Sequence, residues 1–96
     1  MRFEWDDAKD RSNQQKHGLS FSEAIQLFQS GQDYLEIFDA AHSQDEDRFI
    51  AIGEIHRGVA VVIYTERAED TVRIIGARMA TNRERDRYRE YMELYR

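Results

Sequence analysis

The chain has 96 residues, a formal net charge of −5 and no cysteine. A chain of this length forms one small domain with a single modest core, so we expect residues 1–96 to fold as one unit. Without cysteine there is neither a disulfide nor thiolate chemistry. No apolar run is long enough to span a membrane and residues 1–5 lack the apolar stretch of a signal peptide. We therefore expect a cytoplasmic protein that does not bind membranes.

The charge is unevenly distributed along the chain. Residues 33–47 carry six acidic side chains and no lysine or arginine, whereas residues 66–89 carry seven arginines and five acidic side chains. A negative net charge argues against nucleic-acid binding, because such binders neutralise phosphates with lysine and arginine. The arginine-rich segment forms a basic face only if the fold gathers it, and is otherwise ordinary solvated charge.

The amino-terminal residues predict a short strand followed by a helix. Residues 3–5 read as a short edge strand, and Asp6 or Asp7 caps a helix that runs to about His17. Gly18 suits the left-handed conformation that ends a helix. Trp5, the only tryptophan, is expected in the core.

A second helix is predicted immediately after the first. Ser20 and Glu23 form a capping box, and the following apolar residues recur at helical spacing to about Gly31. His17 precedes this junction and has two interpretations. It is a partner of the helix dipole, or a group that transfers protons near neutral pH.

The middle of the chain predicts a sheet. Strands are expected at residues 34–38, 48–55, 59–65 and 71–79, with turns at residues 56–58 and 68–70. Residues 59–65 are apolar on both faces, which is typical of a central strand. The short turns favour antiparallel neighbours.

The last element is predicted to be an amphipathic helix. Thr81 and Glu84 form a second capping box, and the helix begins at about Asn82. The predicted fold class is therefore α+β: two amino-terminal helices, an antiparallel sheet of about four strands with the short amino-terminal strand as an addition, and a carboxy-terminal helix.

A set of residues spread over nearly the whole chain carries a resemblance to a known family. The residues are Phe3, Trp5-Asp6, Lys9, Asn13, Lys16-His17-Gly18, Ser20-Phe21, Glu23-Ala24, Thr65-Glu66-Arg67, Arg73-Ile74-Ile75, Ala77-Arg78, Ala80, Glu84-Arg85 and Tyr88. In this order they resemble the BrnT family of bacterial type II toxins, and the combination of the amino-terminal block with the Arg-Ile-Ile-Gly-Ala-Arg strand is the specific part. The resemblance implies a single BrnT-like toxin domain with a RelE-like ribonuclease fold.

The resemblance also implies a function and partners. It implies an endoribonuclease that cleaves RNA, arrests translation and is neutralised by a BrnA-type antitoxin encoded beside it. The two proteins would form a toxin–antitoxin oligomer that binds operator DNA through the antitoxin. A second hypothesis is a non-catalytic module that binds the antitoxin and acts as co-repressor of its own operon, which the acidic net charge favours.

RNA cleavage without a metal requires a base for the 2′-hydroxyl, an acid for the leaving 5′ oxygen and cations for the phosphorane charge. We expect His17 to transfer protons, and Arg67 and Arg78 to clamp the phosphate. The residues expected to contact the substrate are Lys9, Lys16 and Arg73. Each arginine also has a structural interpretation as a surface ion pair.

Neither a metal nor another cofactor is expected. The histidines, at positions 17, 42 and 56, are scattered and include no helix-spaced pair of metal ligands. The sequence also lacks a phosphate-cradling glycine loop and a nucleophile elbow.

The strand pattern raises a difficulty for these arginines. Arg67 ends one strand and Arg78 ends its partner, so the two are expected near opposite ends of the hairpin. Arg73 and Arg78 face opposite sides of an unbroken strand, because their separation is odd. A bulge at Gly76 would bring both to one face.

Overall fold

The fold, described here for residues 1–95 from a computed structural model, is one mixed five-stranded sheet with helices on both sides. The strand order is β1-β5-β4-β3-β2. None of the helices in this part of the chain is both long enough and apolar enough to cross a membrane. The elements are β1 Arg2–Glu4, α1 Asp7–His17, α2 Phe21–Ala24, α3 Gln26–Gln29, β2 Leu35–Phe38, a 3₁₀ turn Ala40–His42, β3 Arg48–Ile55, β4 Gly58–Arg67, β5 Thr71–Met79 and α4 Asn82–Leu94.

The α+β class and most of the predicted elements are confirmed. The strands β2 to β5 are antiparallel neighbours as predicted, and β4 is the central strand. The prediction of an antiparallel sheet is incomplete, because β1 adds a fifth strand parallel to β5. The short turns that predicted antiparallel pairing join only β3, β4 and β5. Strands β1 and β5 pair although most of the chain separates them in sequence, and no turn signal predicts such a pairing.

The second predicted helix is the element that differs most. It begins at Phe21 behind the expected capping box, but it divides at Ile25 into α2 and α3. The N–H of Phe28 bonds to the C=O of Ile25, three residues back, which tightens the backbone there. The helical section ends at Gln29, slightly before the predicted end near Gly31. The prediction missed the division at Ile25 because apolar periodicity does not reveal this local tightening.

The main core lies between the sheet and the amino-terminal helices. Phe21 and Leu27 are fully buried against Tyr64 of β4, and Trp5 packs at the margin of this cluster as expected. A smaller cluster on the opposite face joins Ile52 and Val61 to Tyr88 of α4. The two faces of the sheet are therefore covered unequally, and α4 contacts mainly β2 and β3.

The amide of Asn13 attaches α1 to the sheet. Its Nδ2 donates to the C=O of Ala77 at 2.8 Å and to the C=O of Leu19 at 2.9 Å, and its Oδ1 accepts from the N–H of Ala77 at 3.1 Å. The side chain is only 9% exposed. It therefore continues the hydrogen-bond ladder of β5 beyond the end of the three-residue β1.

A bidentate ion pair attaches α4 to β5. The guanidinium of Arg78 donates to both carboxylate oxygens of Glu84, at 2.6 and 2.8 Å, while Glu84 also closes the capping box with Thr81. The hydrogen bond to Arg78 lowers the pKa of Glu84 from 4.5 to about 2. The predicted capping box is thus confirmed, and its Glu84 carboxylate also binds the guanidinium of Arg78.

We predict that Asn13→Ala destabilises the fold. Removal of the amide leaves the buried N–H and C=O of Ala77 without partners, which costs about 3 kcal/mol in the free energy of unfolding. Urea denaturation measures this change, with Gln14→Ala at the next, exposed position of α1 as the control. Equal midpoints for the two variants would contradict the role assigned to Asn13.

We also predict that Glu84 makes stability depend on pH. A lowered folded-state pKa means that the stabilisation is complete above about pH 4.5 and is lost as the pH falls towards 2. Between pH 5 and pH 2.5, Glu84→Gln should lose about 1–2 kcal/mol less stability than the wild type, because solvent screens this partly exposed pair. Thermal unfolding across that range, beside the exposed-site control Glu90→Gln, tests the difference.

Candidate functional site

Strand β5 contains one residue more than its partner opposite. Ile74 pairs with Tyr64 and Gly76 pairs with Ile63, which leaves Ile75 as the extra residue. The bulge expected at Gly76 is therefore present at the adjacent position. A Cβ at Gly76 would make only ordinary van der Waals contacts, with Ile63 Cδ1 at 3.7 Å and Asn13 Oδ1 at 3.9 Å, so the bulge does not depend on glycine for space.

After the bulge, the residues of β5 point to the opposite side of the sheet from the one that strict alternation would give. Ile74 and Ala77 both point into the main core, although their separation is odd. Arg73 and Arg78 therefore share the opposite face, as the bulge requires. Without the extra residue, one of these two guanidinium groups would point into the core.

Two further arginines lie on the same face. Arg48 of β3 and Arg73 of β5 both pair with Thr65 of β4, and residues paired across strands share a face. Arg67 lies two residues beyond Thr65, so it also faces this side. We call this surface the arginine face. It consists of Arg48, Arg67, Arg73 and Arg78.

Arg67 and Arg78 are not brought together. Arg78 pairs with Val61, six residues before Arg67 on β4, which is about 20 Å at the rise of an extended strand. The structure therefore separates the two residues that were expected to clamp one phosphate. Arg67 and Arg73 are diagonal neighbours on adjacent strands, with Cα atoms about 7–8 Å apart.

Carboxylates already occupy two of the arginines. Arg73 donates to Glu4 of β1 at 2.5 Å, and Arg78 is held by Glu84. Sequence reasoning missed Glu4 as a site residue, because only the parallel pairing of Glu4 with Arg73 places it there. Arg48 was also missed, and it differs from the expected arginines in lying on β3 and having a buried Nε.

Helix α1 contributes the predicted lysines. Lys9 and Lys16 line a small groove of about 170 Å³ beside the bulge residue Ile75. The backbone N–H of Lys9 is the main cause of the lowered pKa of Asp6, which lies just before the helix. The charge of Arg73 contributes a smaller part, so the start of α1 lies near Arg73. Since Asn13 contacts Ala77 further along, α1 runs in the same direction as β5. The lysines therefore follow the edge of the strand that carries Arg73 and Arg78.

His17 lies elsewhere on α1. Successive helix residues are about 100° apart, so Lys9 and Lys16 lie on one side of Asn13, whereas His17 lies on the other with Asp10. The Asp10 carboxylate accepts the N–H of Phe21 at 2.9 Å, which identifies that side as the one facing α2. His17 is exposed at the helix end, near Gly18, and is not grouped with the arginine face.

The site is suited to a chain of anions. Guanidinium groups bind phosphate through paired donors, and the lysines add point charges along the same edge. Two of the candidate arginines each contact a carboxylate that could accept a proton, Arg73 with Glu4 and Arg78 with Glu84. Within residues 1–95, no three histidine, aspartate or glutamate side chains are grouped to hold a metal ion.

Comparisons with known proteins agree with the sequence resemblance. The family described as "Ribonuclease toxin, BrnT, of type II toxin-antitoxin system" matches residues 5–84, which include every predicted site residue. No curated protein sequence matches.

A solved structure supports the same relationship. The crystal structure of the Brucella abortus ribonuclease toxin BrnT is similar to this chain at 26% identity and a TM-score of 0.67. The alignment covers 85% of this chain and 99% of the Brucella toxin. Because both the sequence match and the shared fold extend over most of its length, this chain belongs to the BrnT family of ribonuclease toxins of type II toxin–antitoxin systems.

Proposed function

We propose that this chain is an endoribonuclease that cleaves RNA without a metal ion and thereby arrests translation. The observation that carries the proposal is the arginine face, where Arg67 and Arg73 are neighbours and Glu4 contacts Arg73. Cleavage proceeds by attack of the 2′-hydroxyl on the adjacent phosphorus, which releases the 5′ oxygen. The requirements are an oriented base, an acid and stabilisation of the phosphorane charge.

The scissile phosphate binds between Arg67 and Arg73. Their guanidinium groups extend from diagonal positions on adjacent strands and can reach one phosphate. Binding requires that a phosphate oxygen replaces or shares the Glu4 carboxylate on Arg73. The displaced carboxylate then lies beside the nucleotide, where it can accept the 2′-hydroxyl proton.

Arg78, Lys9 and Lys16 bind flanking phosphates. Arg78 is too far from Arg67 to share a phosphate, and its pairing with Glu84 leaves only part of the guanidinium available. The lysines line the edge of α1 beside the same strand. These three cations direct the RNA strand along β5.

His17 is the sequence-based candidate for proton transfer. It could act only if the scissile phosphate bound at a second position on the arginine face. In that placement the scissile phosphate lies at the Arg78 end, because His17 follows Asn13 by one helical turn, about 6 Å along α1. The His17 orientation towards α2 supports the Arg73 end instead. Substitution of each residue distinguishes the two placements.

The protein partner is an antitoxin, as for any type II toxin, and we propose that it is of the BrnA type. The complex of the two then binds operator DNA through the antitoxin. A non-catalytic module that holds the antitoxin as co-repressor is the alternative. The pairing of Arg73 and Arg78 with carboxylates favours it, since both pairs oppose RNA capture.

We predict that Arg67→Ala and Arg73→Ala each slow RNA cleavage about 100-fold, the loss typical when one donor to transition-state charge is removed. Arg78→Ala, Lys9→Ala and Lys16→Ala should weaken RNA binding with smaller effects on the cleavage step. The measurement is single-turnover cleavage of a labelled RNA in EDTA. Arg87→Ala on the exposed surface of α4 is the matched control.

Two more variants test the proton transfer. Glu4→Gln should slow cleavage as strongly as Arg73→Ala, while His17→Ala retains at least a tenth of the rate. A larger loss in His17→Ala than in Glu4→Gln would move the site to the Arg78 end. Intact RNA with the wild type, alongside normal antitoxin binding, would refute the enzyme and leave the binding module.

A further inference from the structure

One edge of the sheet is open. Strand β2 is the last in the order, with β3 on its inner side. The N–H of Asp39 bonds to the C=O of Arg48 at 2.8 Å, so alternate residues of β2 direct their backbone groups to β3. Glu36 and Phe38 therefore direct their N–H and C=O groups away from the sheet. These four groups can pair with one more strand.

In contrast, the opposite edge of the sheet, at β1 and β5, is covered. There β1 covers the first half of β5, and the Asn13 amide occupies the N–H and C=O of Ala77 in the second half. Exposed edges invite pairing with other chains, so proteins usually shield them. The β2 edge has no such cover among the described residues.

An exposed aromatic side chain marks this edge. Phe38 is 50% exposed, unlike most large apolar residues of the chain. Its ring contacts Phe49 with centroids 5.6 Å apart, and Phe49 stacks on the buried Tyr64 at the same distance. An apolar side chain on an added strand would extend this row and cover Phe38.

The charge at the edge selects the partner. The exposed acids around β2 lie within a segment, residues 33–47, that contains no lysine or arginine. They would attract an extended basic segment. They would repel a second copy of this chain, because antiparallel pairing of two β2 strands brings their acidic side chains together. The exposed members are Asp33, Glu36, Asp45, Glu46 and Asp47.

We propose that the open edge of β2 is the docking site for an extended, positively charged segment of the antitoxin, which adds to the sheet as a sixth strand. The proposal rests on the antitoxin partner in the proposed function and is independent of RNA cleavage. Main-chain hydrogen bonds to Glu36 and Phe38 supply affinity, whereas Phe38 and the acidic side chains supply selectivity.

The geometry separates docking from inhibition. Three strand spacings, about 14 Å, lie between β2 and β5. A strand on β2 therefore leaves Arg73 and the lysine groove open. Other parts of the antitoxin must cover the arginine face, so a docking segment alone binds without preventing RNA cleavage.

Glu36→Pro tests the edge. Proline removes the outward N–H of Glu36 and leaves the bonds of β2 to β3 intact, which an edge strand tolerates. Glu36→Gln is the matched control that keeps the N–H. The probes are an acetylated Lys-Val-Lys-Val-Lys-Val-Lys peptide, its Glu-Val counterpart, and the antitoxin encoded beside the chain. Circular dichroism checks that each variant is folded.

We expect the Lys-Val peptide to slow hydrogen exchange of the Glu36 and Phe38 amides at least tenfold, and the Glu-Val peptide to leave it unchanged. Glu36→Pro should weaken binding of the Lys-Val peptide and of the antitoxin at least tenfold, and Phe38→Ser should weaken both to a smaller extent. Glu36→Gln should retain antitoxin binding to within a few fold. RNA cleavage, where present, should persist with the peptide bound.

The proposal is overturned if Glu36→Pro binds the antitoxin as tightly as the wild type does, or if protection appears at other amides only. Protection of these two amides in the free protein at high concentration would identify a second copy as the occupant and also overturn it. An RNA that stays intact while the edge binds the antitoxin would refute the enzyme and leave the docking site in place.

Discussion

The buried amide of Asn13 is the interaction on which the arrangement of the site depends. It joins α1, Leu19 in the connection before α2, and the second half of β5 through three hydrogen bonds. An amide can both donate to Ala77 and accept from it, as a neighbouring strand would. The attachment aligns α1 with β5 and so places the lysine groove beside the bulge. The cations of two separate elements thereby follow one edge of the sheet.

The arginines of this edge contribute to the fold and to the site at once. Arg78 fastens α4 through Glu84, and Arg73 fastens β1 through Glu4. Each pair screens a positive charge that would otherwise attract RNA, in a chain whose net charge is already negative. Phosphate must compete with carboxylate at these positions. The proposed binding of RNA would therefore depend on the local geometry of paired guanidinium groups more than on the overall field.

The two edges of the sheet have opposite chemistry. The β5 edge is closed by β1 and Asn13 and borders the cations, whereas the β2 edge is open, acidic and marked by an exposed phenylalanine. An RNA and a basic protein segment would therefore meet at different sides of the molecule. If the proposed docking at β2 holds, this separation would allow a partner to remain attached while another of its segments covers or uncovers the arginine face.

The sequence by itself determined the local elements, because their signals are local. Capping boxes at Ser20 and Thr81, the left-handed Gly18 and the alternation of the strands marked nearly every boundary. Tertiary structure decided the rest. The parallel pairing of β1, the Glu4–Arg73 contact and the separation of Arg67 from Arg78 depend on residues distant in the chain. The orientation of His17 towards α2 follows from how Asn13 docks the helix, which periodicity in one element cannot specify.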